Sequence, residues 1–216
     1  MATYLETVNN VLRRLREPTV SSVGETNYSA MLGVFVNDAK REVEDALEWN
    51  SLSSTITVNT VANTFNYTLT GAGTRFRVMD VLNDTSDTVL RQAPSSWMNR
   101  QFLLSSQSTD TPHYYNFNGV NSSDDTQVDV FPIPNGVYTL RFNLIIPQAE
   151  LTSDSTRILV PHHLVAMLAY AKAIAERGED GGNLSSEAYA LYKTALANEV
   201  AIERNRYEDE MTWTAP

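Results

Sequence analysis

The hydrophobic residues of this chain change their spacing twice. Up to about residue 49 they recur every three or four positions, the period of a helix with one apolar side. From about residue 55 to residue 144 the chain breaks into short runs that alternate apolar and polar, the period of half-buried strands. From residue 161 the helical period returns. A chain whose two ends share one period and whose middle has another is neither a single bundle nor a single sheet. The pattern predicts an α+β fold: a four-helix body formed by both chain ends, with an inserted antiparallel β-rich section, barrel- or sandwich-like. The expected divisions are 1–52 and 158–207 for the two parts of the helical body, 53–157 for the β-rich insertion, and 208–216 for a short tail.

Local signals sharpen this outline. Thr3-Tyr4-Leu5-Glu6 has the form of a capping box, and Leu5, Val8, Leu12 and Leu15 follow at helical spacing until Pro18, which predicts a helix over 3–17. Thr26 and Asn27 open a second helix whose stripe is Leu32, Phe35, Ala39, Val43, Ala46 and Leu47, running to about Trp49. Strands are expected at Thr55–Val58, Phe65–Leu69, Arg75–Leu82, Thr88–Arg91, His113–Phe117 and Gln127–Phe131, with a short helix from Ser95, its cap, to Leu103. The clearest strand follows: Tyr138, Leu140, Phe142 and Leu144 alternate with Thr139, Arg141 and Asn143. Such an antiparallel set has to close or pair its edges. Pro161 opens an alanine-rich helix, His162–Arg177, that Gly178 stops, and a final helix runs from Leu184 to about Tyr207.

Several chemistries lack their residues. Without cysteine there is no disulfide, no thiolate metal site and no thiol nucleophile. The net charge of -10 is spread evenly and no basic patch stands out, which disfavours tight nucleic-acid binding. The opening has neither the basic nor the apolar region of a signal peptide, and no apolar run is long enough to cross a bilayer, so a soluble chain not exported by a signal peptide of the Sec type is expected. His162 and His163 are adjacent on a helix and point apart, so they do not form a metal face. Asp124, Asp125 and Asp129 lack the glycine and distal glutamate of a calcium loop. Gly71-Ala72-Gly73 lacks the lysine of a phosphate loop, and no Gly-x-Ser-x-Gly elbow occurs. No catalytic residue, metal or cofactor is therefore expected. Arg13, Arg14 and Arg16 form the one basic cluster, at a helix end where cations meet the negative end of the dipole.

The helices are apolar on more than one side. In the alanine-rich helix, Ala166, Ala169, Ala173 and Met167 lie off the stripe of Leu164, Leu168, Ala171 and Ala175. In the last helix one seam is Ala188, Leu191 and Ala195, and another is Tyr189, Tyr192, Leu196 and Val200. A surface helix needs one stripe only. Two readings follow: a helix central to its own bundle, or a subunit interface. Four helices offer few central places, which favours an interface carried by Ala166, Ala169, Ala173, Tyr189, Tyr192 and Leu196, and thus a homo-oligomer. Tyr207, Met211 and Trp213, set among acids in the tail, suit contact anchors or a fold back onto the chain equally well.

Three stretches together resemble the head-to-tail adaptor, or tail tubular protein A, of short-tailed bacteriophages. They are Tyr4 to Pro18 with the helix ending Ala46-Leu47-Glu48-Trp49; Phe131-Pro132-Ile133-Pro134 leading into Tyr138–Phe142; and Val160-Pro161 with the two helices to Tyr207. The resemblance implies a structural virion protein, assembled in the host cytoplasm, that forms a twelve-membered ring between portal protein and tail nozzle. The helical body would build the ring. The β section would face nozzle and fibre proteins, and the genome would pass through the centre without specific binding and without any membrane. The tail of such adaptors reaches the portal, a role that falls by position on Tyr207, Met211 and Trp213. An acidic wall would keep DNA phosphates sliding, with Glu199 and Glu203 as lumen candidates. The alternatives are another connector or tail-completion ring, a tail-associated cell-wall-degrading protein, or a carbohydrate-binding protein using Trp97, Tyr114, Tyr115 and Phe117 as a stacking platform.

Overall fold

The structure, a computed structural model, describes residues 2–178 and 181–206, so Tyr207, Met211 and Trp213 lie outside the described residues. Five α-helices are described: α1 (Tyr4–Arg14), α2 (Asn27–Ala46), α3 (Ser95–Leu103), α4 (His162–Arg177) and α5 (Asn183–Arg204). Ten strands lie between α2 and α4: β1 (Ser53–Asn59), β2 (Asn66–Thr68), β3 (Arg77–Asn83), β4 (Thr88–Val89), β5 (Arg91–Gln92), β6 (Thr109–Asp110), β7 (Tyr114–Val120), β8 (Thr126–Phe131), β9 (Ile133–Pro134) and β10 (Thr139–Ile145). The fold is α+β, and contacts divide it into two units, Met1–Ser51 with Gln148–Pro216, and Leu52–Pro147.

The first unit holds α1, α2, α4 and α5. The capping box opens α1: the Glu6 N–H donates to Thr3 Oγ1 at 3.2 Å, and the Thr3 N–H donates to Glu6 Oε2 at 2.8 Å. The helix stops at Arg14 rather than at the expected residue 17. Arg16 turns left-handed (φ 60°), the Glu17 N–H reaches the Leu12 carbonyl at 2.9 Å, and the Arg16 N–H reaches that of Arg13 at 3.1 Å. This pair of bonds is a Schellman ending, with arginine where glycine is usual. Thr26 caps α2, accepting from the Ser29 N–H at 3.0 Å. Gly33 of α2 is seated against Tyr4 and Val23: an added Cβ would collide with the Tyr4 hydroxyl and lie 2.7 Å from Val23 Cγ1.

That seat makes a prediction in which two effects oppose. Gly33→Ala gains up to about 1 kcal/mol of helix propensity. Overpacking against two buried side chains costs about 1–3 kcal/mol. A net loss of about 1 kcal/mol is expected in urea unfolding, and a variant more stable than the parent would show that Tyr4 swings aside freely.

The chain's return from the second unit is tied to α2 by polar groups. Lys40 Nζ lies 3.2 Å from Glu44 Oε1 and donates to the carbonyls of Gln148 (2.6 Å) and Ala149 (3.2 Å). Glu44 Oε1 accepts from the Gln148 N–H at 3.2 Å. The Asn37 amide then exchanges two hydrogen bonds with the backbone of Leu151, at 3.1 and 2.9 Å.

The second unit is built on two open four-stranded sheets, ordered β1-β10-β3-β4 and β2-β8-β7-β5, with β6 and β9 paired apart. Both sheets feed one core. Leu140, Phe142 and Leu144 of β10 and Val81 of β3 meet Tyr115 of β7 and Val128 and Val130 of β8, all buried. Two expectations are corrected here. The sheets are mixed, because β5 pairs parallel with β7 and β6 with β9. Helix α3 lies between β5 and β7 in the chain, and such a crossover lets two strands run the same way. Nor is there a barrel: each four-stranded sheet ends in two edge strands. The α3 cap also differs, since Pro94 takes that position and Ser95 Oγ turns instead to Asn116 Oδ1 at 3.2 Å. At the base of the unit the Ile146 N–H donates to the Leu52 carbonyl at 3.0 Å, so the chain enters and leaves at hydrogen-bonded neighbours.

Candidate assembly surfaces

Helix α4 packs against α1, α2 and α5. Its small residues explain how. Ala166, Ala169 and Ala173 are 1%, 0% and 0% exposed, so these positions are already filled by neighbouring helices of the same chain. The side-chain volume that the sequence reading gave to a neighbouring subunit is used inside the unit, because α4 is central. Tyr192 is buried as well, and its hydroxyl pKa is pushed up to about 12, first by burial and then by the nearby Glu42 carboxylate and Tyr189. Tyr189 is 42% exposed, and Leu196 is half-buried. The six residues expected to act together at an interface thus divide between core and surface.

Helix α5 rests on α4 and leaves a groove on each side. The first groove, of about 240 Å³, has an apolar floor of Met167, Tyr170, Leu184 and Leu191 and is bordered by Arg14. Arg14 is held by Asn10 Oδ1 at 3.0 Å, with its guanidinium 5.9 Å from the centre of the Tyr170 ring. Arg13 and Arg16 are exposed beside it. The second groove, of about 410 Å³, lies between α5 and α2 and is lined by Glu42, Ala175, Lys172 and Tyr189. Glu42 pairs with Lys172 at 2.6 Å. The Lys193 ammonium lies 4.9 Å from the centre of the Tyr189 ring.

The two acids proposed for a channel wall are both engaged. Glu199 Oε1 lies 3.2 Å from His163 Nε2. Glu203 accepts the Asn50 N–H at 3.1 Å and meets Arg206 at 3.2 Å. The neighbouring His162 has its pKa lowered, chiefly by burial and also by His163.

On the second unit, sequence reasoning missed several exposed apolar residues. Leu103 is 84% exposed, Leu104 55%, Val61 60% and Val137 69%. The Phe65 ring lies 4.4 Å from that of Phe102 near the end of α3. The signal was present: Leu103-Leu104 is an apolar pair at a helix end followed by serines, where a burial stripe has no use for both. The aromatic residues considered as a sugar platform go elsewhere. Trp97 stacks against Tyr114 (5.0 Å) and Phe131 (5.5 Å), while Tyr115 and Phe117 pack in the core between the sheets. Of the loop acids, Asp125 accepts the Gly71 N–H at 2.8 Å, and the buried Asp129 accepts from Asn66 (2.7 Å) and Asn118 (2.9 Å). Among the described residues there is no group of three or more side chains suited to a metal ion, and no helix is long and apolar enough to cross a membrane.

These surfaces have the character of contact faces: exposed apolar residues, with charge beside them at the two grooves. A family model described as SU10 adaptor protein matches residues 2–216. No curated protein matches the chain.

Proposed function

The chain belongs to the SU10 adaptor protein family, a family of bacteriophage structural proteins, and from that premise we propose that it forms a ring between portal and tail. The observation that carries this reading is the extent of the match. It spans residues 2–216, so the helical unit and the β-rich unit both belong to the adaptor. In this reading the ring has twelve copies. The helical unit builds the wall, and the second unit offers Val61, Leu103, Leu104 and Val137 to nozzle or fibre proteins as an apolar platform. The genome passes through the centre. A net charge of -10 per copy repels phosphates and keeps the DNA hydrated. Glu199 and Glu203 stand in that wall as carboxylates already engaged with His163, Asn50 and Arg206, so their share of the field is reduced. The tail residues Tyr207, Met211 and Trp213 dock onto the portal.

The test is the mass of the purified protein, alone and mixed with the portal of the same virus. A large stable complex with the portal is expected, and truncation of Glu208–Pro216 is expected to weaken it at least about a hundredfold, the loss of two buried anchors. No association under any condition overturns the reading. Another connector or tail-completion ring would bind a different neighbour and leave the portal free. Release of cell-wall fragments by the purified protein would point to the degrading alternative. A carbohydrate platform is disfavoured by the packing of Trp97, Tyr115 and Phe117 into cores.

A further inference from the structure

We infer that the free edge of β1 is the seat of the chain's own tail, residues 207–216 lying along it as an added strand. What points there is an edge without protection. β1 pairs with β10 alone, in even register over all its residues. The other edge strands of the two four-stranded sheets, β4, β2 and β5, have only two or three residues, and shortness itself guards an edge against unwanted pairing. β1 is long and lacks the other guards: Ser53-Ser54-Thr55-Ile56-Thr57-Val58-Asn59 contains no charge, no proline and no bulge. All of it but Ile56 and Val58 is exposed. The Leu52 carbonyl accepts from the Ile146 N–H at 3.0 Å, and the Thr60 N–H donates to the Tyr138 carbonyl at 2.9 Å, so the even-numbered residues between them face β10 and the odd-numbered ones face outward. Among the described residues, the N–H groups of Thr55 and Thr57 accordingly have no partner.

Reach, alternation and charge fit the tail to this edge. Near the end of α5, Glu203 accepts the Asn50 N–H at 3.1 Å, and β1 begins three residues after Asn50 along the chain. Residues 207–216 span up to about 33 Å when extended, against about 23 Å for β1. Their sequence alternates as a strand does: Tyr207, Met211, Trp213 and Ala215 fall on one side with Asp209, and Glu208, Glu210, Thr212 and Thr214 on the other. On β1, Met211 and Trp213 would cover what remains open of the half-buried Ile56 and Val58, and Thr212 and Thr214 would continue the wet row of Thr55 and Thr57. β1 has no charge to repel the acids of the tail. Main-chain bonds to an edge supply affinity, and the alternating side chains supply specificity. The consequence rests on the portal reading: Met211 and Trp213 can sit on β1 or on the portal but not on both, so the portal has to draw the tail off the edge.

Amide hydrogen exchange at Thr55 and Thr57 tests this, in the full chain and in its variant Met211→Pro/Thr212→Pro. Successive N–H groups of a strand point to opposite sides, so the variant removes one that pairing with β1 requires. Exchange in the parent is expected to be at least about tenfold slower than in the variant, and equally slow after dilution of the protein. Fast exchange in both leaves the edge uncovered, slow exchange in both assigns it to another segment, and either overturns the inference. Slowing that fades on dilution assigns the edge to a second copy and overturns it too. Added portal should speed exchange in the parent, and a portal complex in which Thr55 and Thr57 stay slow overturns the exclusive choice. A portal that does not bind overturns the portal reading and leaves the result at β1 standing, which separates the two failures.

Discussion

Replacing Lys40 by alanine is expected to lower the stability of the helical unit by about 3–5 kcal/mol, the usual consequence of removing one partner from a buried ion pair. The Lys40 side chain is 4% exposed and that of Glu44 1%. An i,i+4 pair on a helix surface contributes only about 0.3–0.5 kcal/mol. Burial is what enlarges the effect here: without the ammonium, the carbonyls of Gln148 and Ala149 lose their donor, and a carboxylate remains in a dry setting beside them. Denaturant unfolding of Lys40→Ala, Glu44→Ala and the double variant measures it. The double variant should lose clearly less than the sum of the singles, since Lys40 and Glu44 belong to one network. A loss of under about 1 kcal/mol in Lys40→Ala would place the pair in the weak surface class.

Phe142→Ala is expected to cost about 3–5 kcal/mol in the second unit. Phe142 is fully buried, sits on β10 between β1 and β3, and meets Tyr115 edge-on with ring centres 6.1 Å apart. Tyr115 belongs to the other sheet, so the phenyl ring joins the two sheets across their shared core. Truncation removes both the burial and the aromatic contact, and strands on either side hold the backbone apart, so the cavity cannot collapse. The loss should show in the near-ultraviolet signal and in the unfolding midpoint. A change of less than about 1 kcal/mol would mean that the sheets re-pack over the gap.

Helix starts were legible because their signals are local. Thr3 with Glu6, and Thr26 ahead of Asn27, announce α1 and α2 in the residues that make the caps. The end of α4 at Gly178 was legible for the same reason, its φ of 63° being one that glycine adopts without cost. The end of α1 was not, because Arg16 takes the left-handed position without any residue to announce it, and Pro18 was the only visible stop. Strand existence was readable from alternation, but pairing direction was not. Arg91-Gln92 carries nothing to say that it runs parallel to Tyr114-Tyr115; that depends on where α3 sends the chain. The candidate surfaces were harder still. Excess alanine in α4 reads the same whether the close neighbour is another helix of the chain or another copy, and only burial of Ala166, Ala169 and Ala173 tells which. The exposure of Leu103 was overlooked because the sequence reading gave Ser95–Leu103 only as a short helix and weighed none of its faces.

The hydrogen bond between Ile146 and Leu52 means that the β-rich unit begins and ends at one spot. To the helical unit, everything from Leu52 to Pro147 is a single hairpin-like gap between two anchored ends. Any module whose termini lie one strand spacing apart could be spliced into that gap with no new demand on the helices. The helical unit and the β-rich unit can then diverge at different rates. A lineage can exchange the β-rich unit by recombination at two points in the gene and keep the helical unit intact.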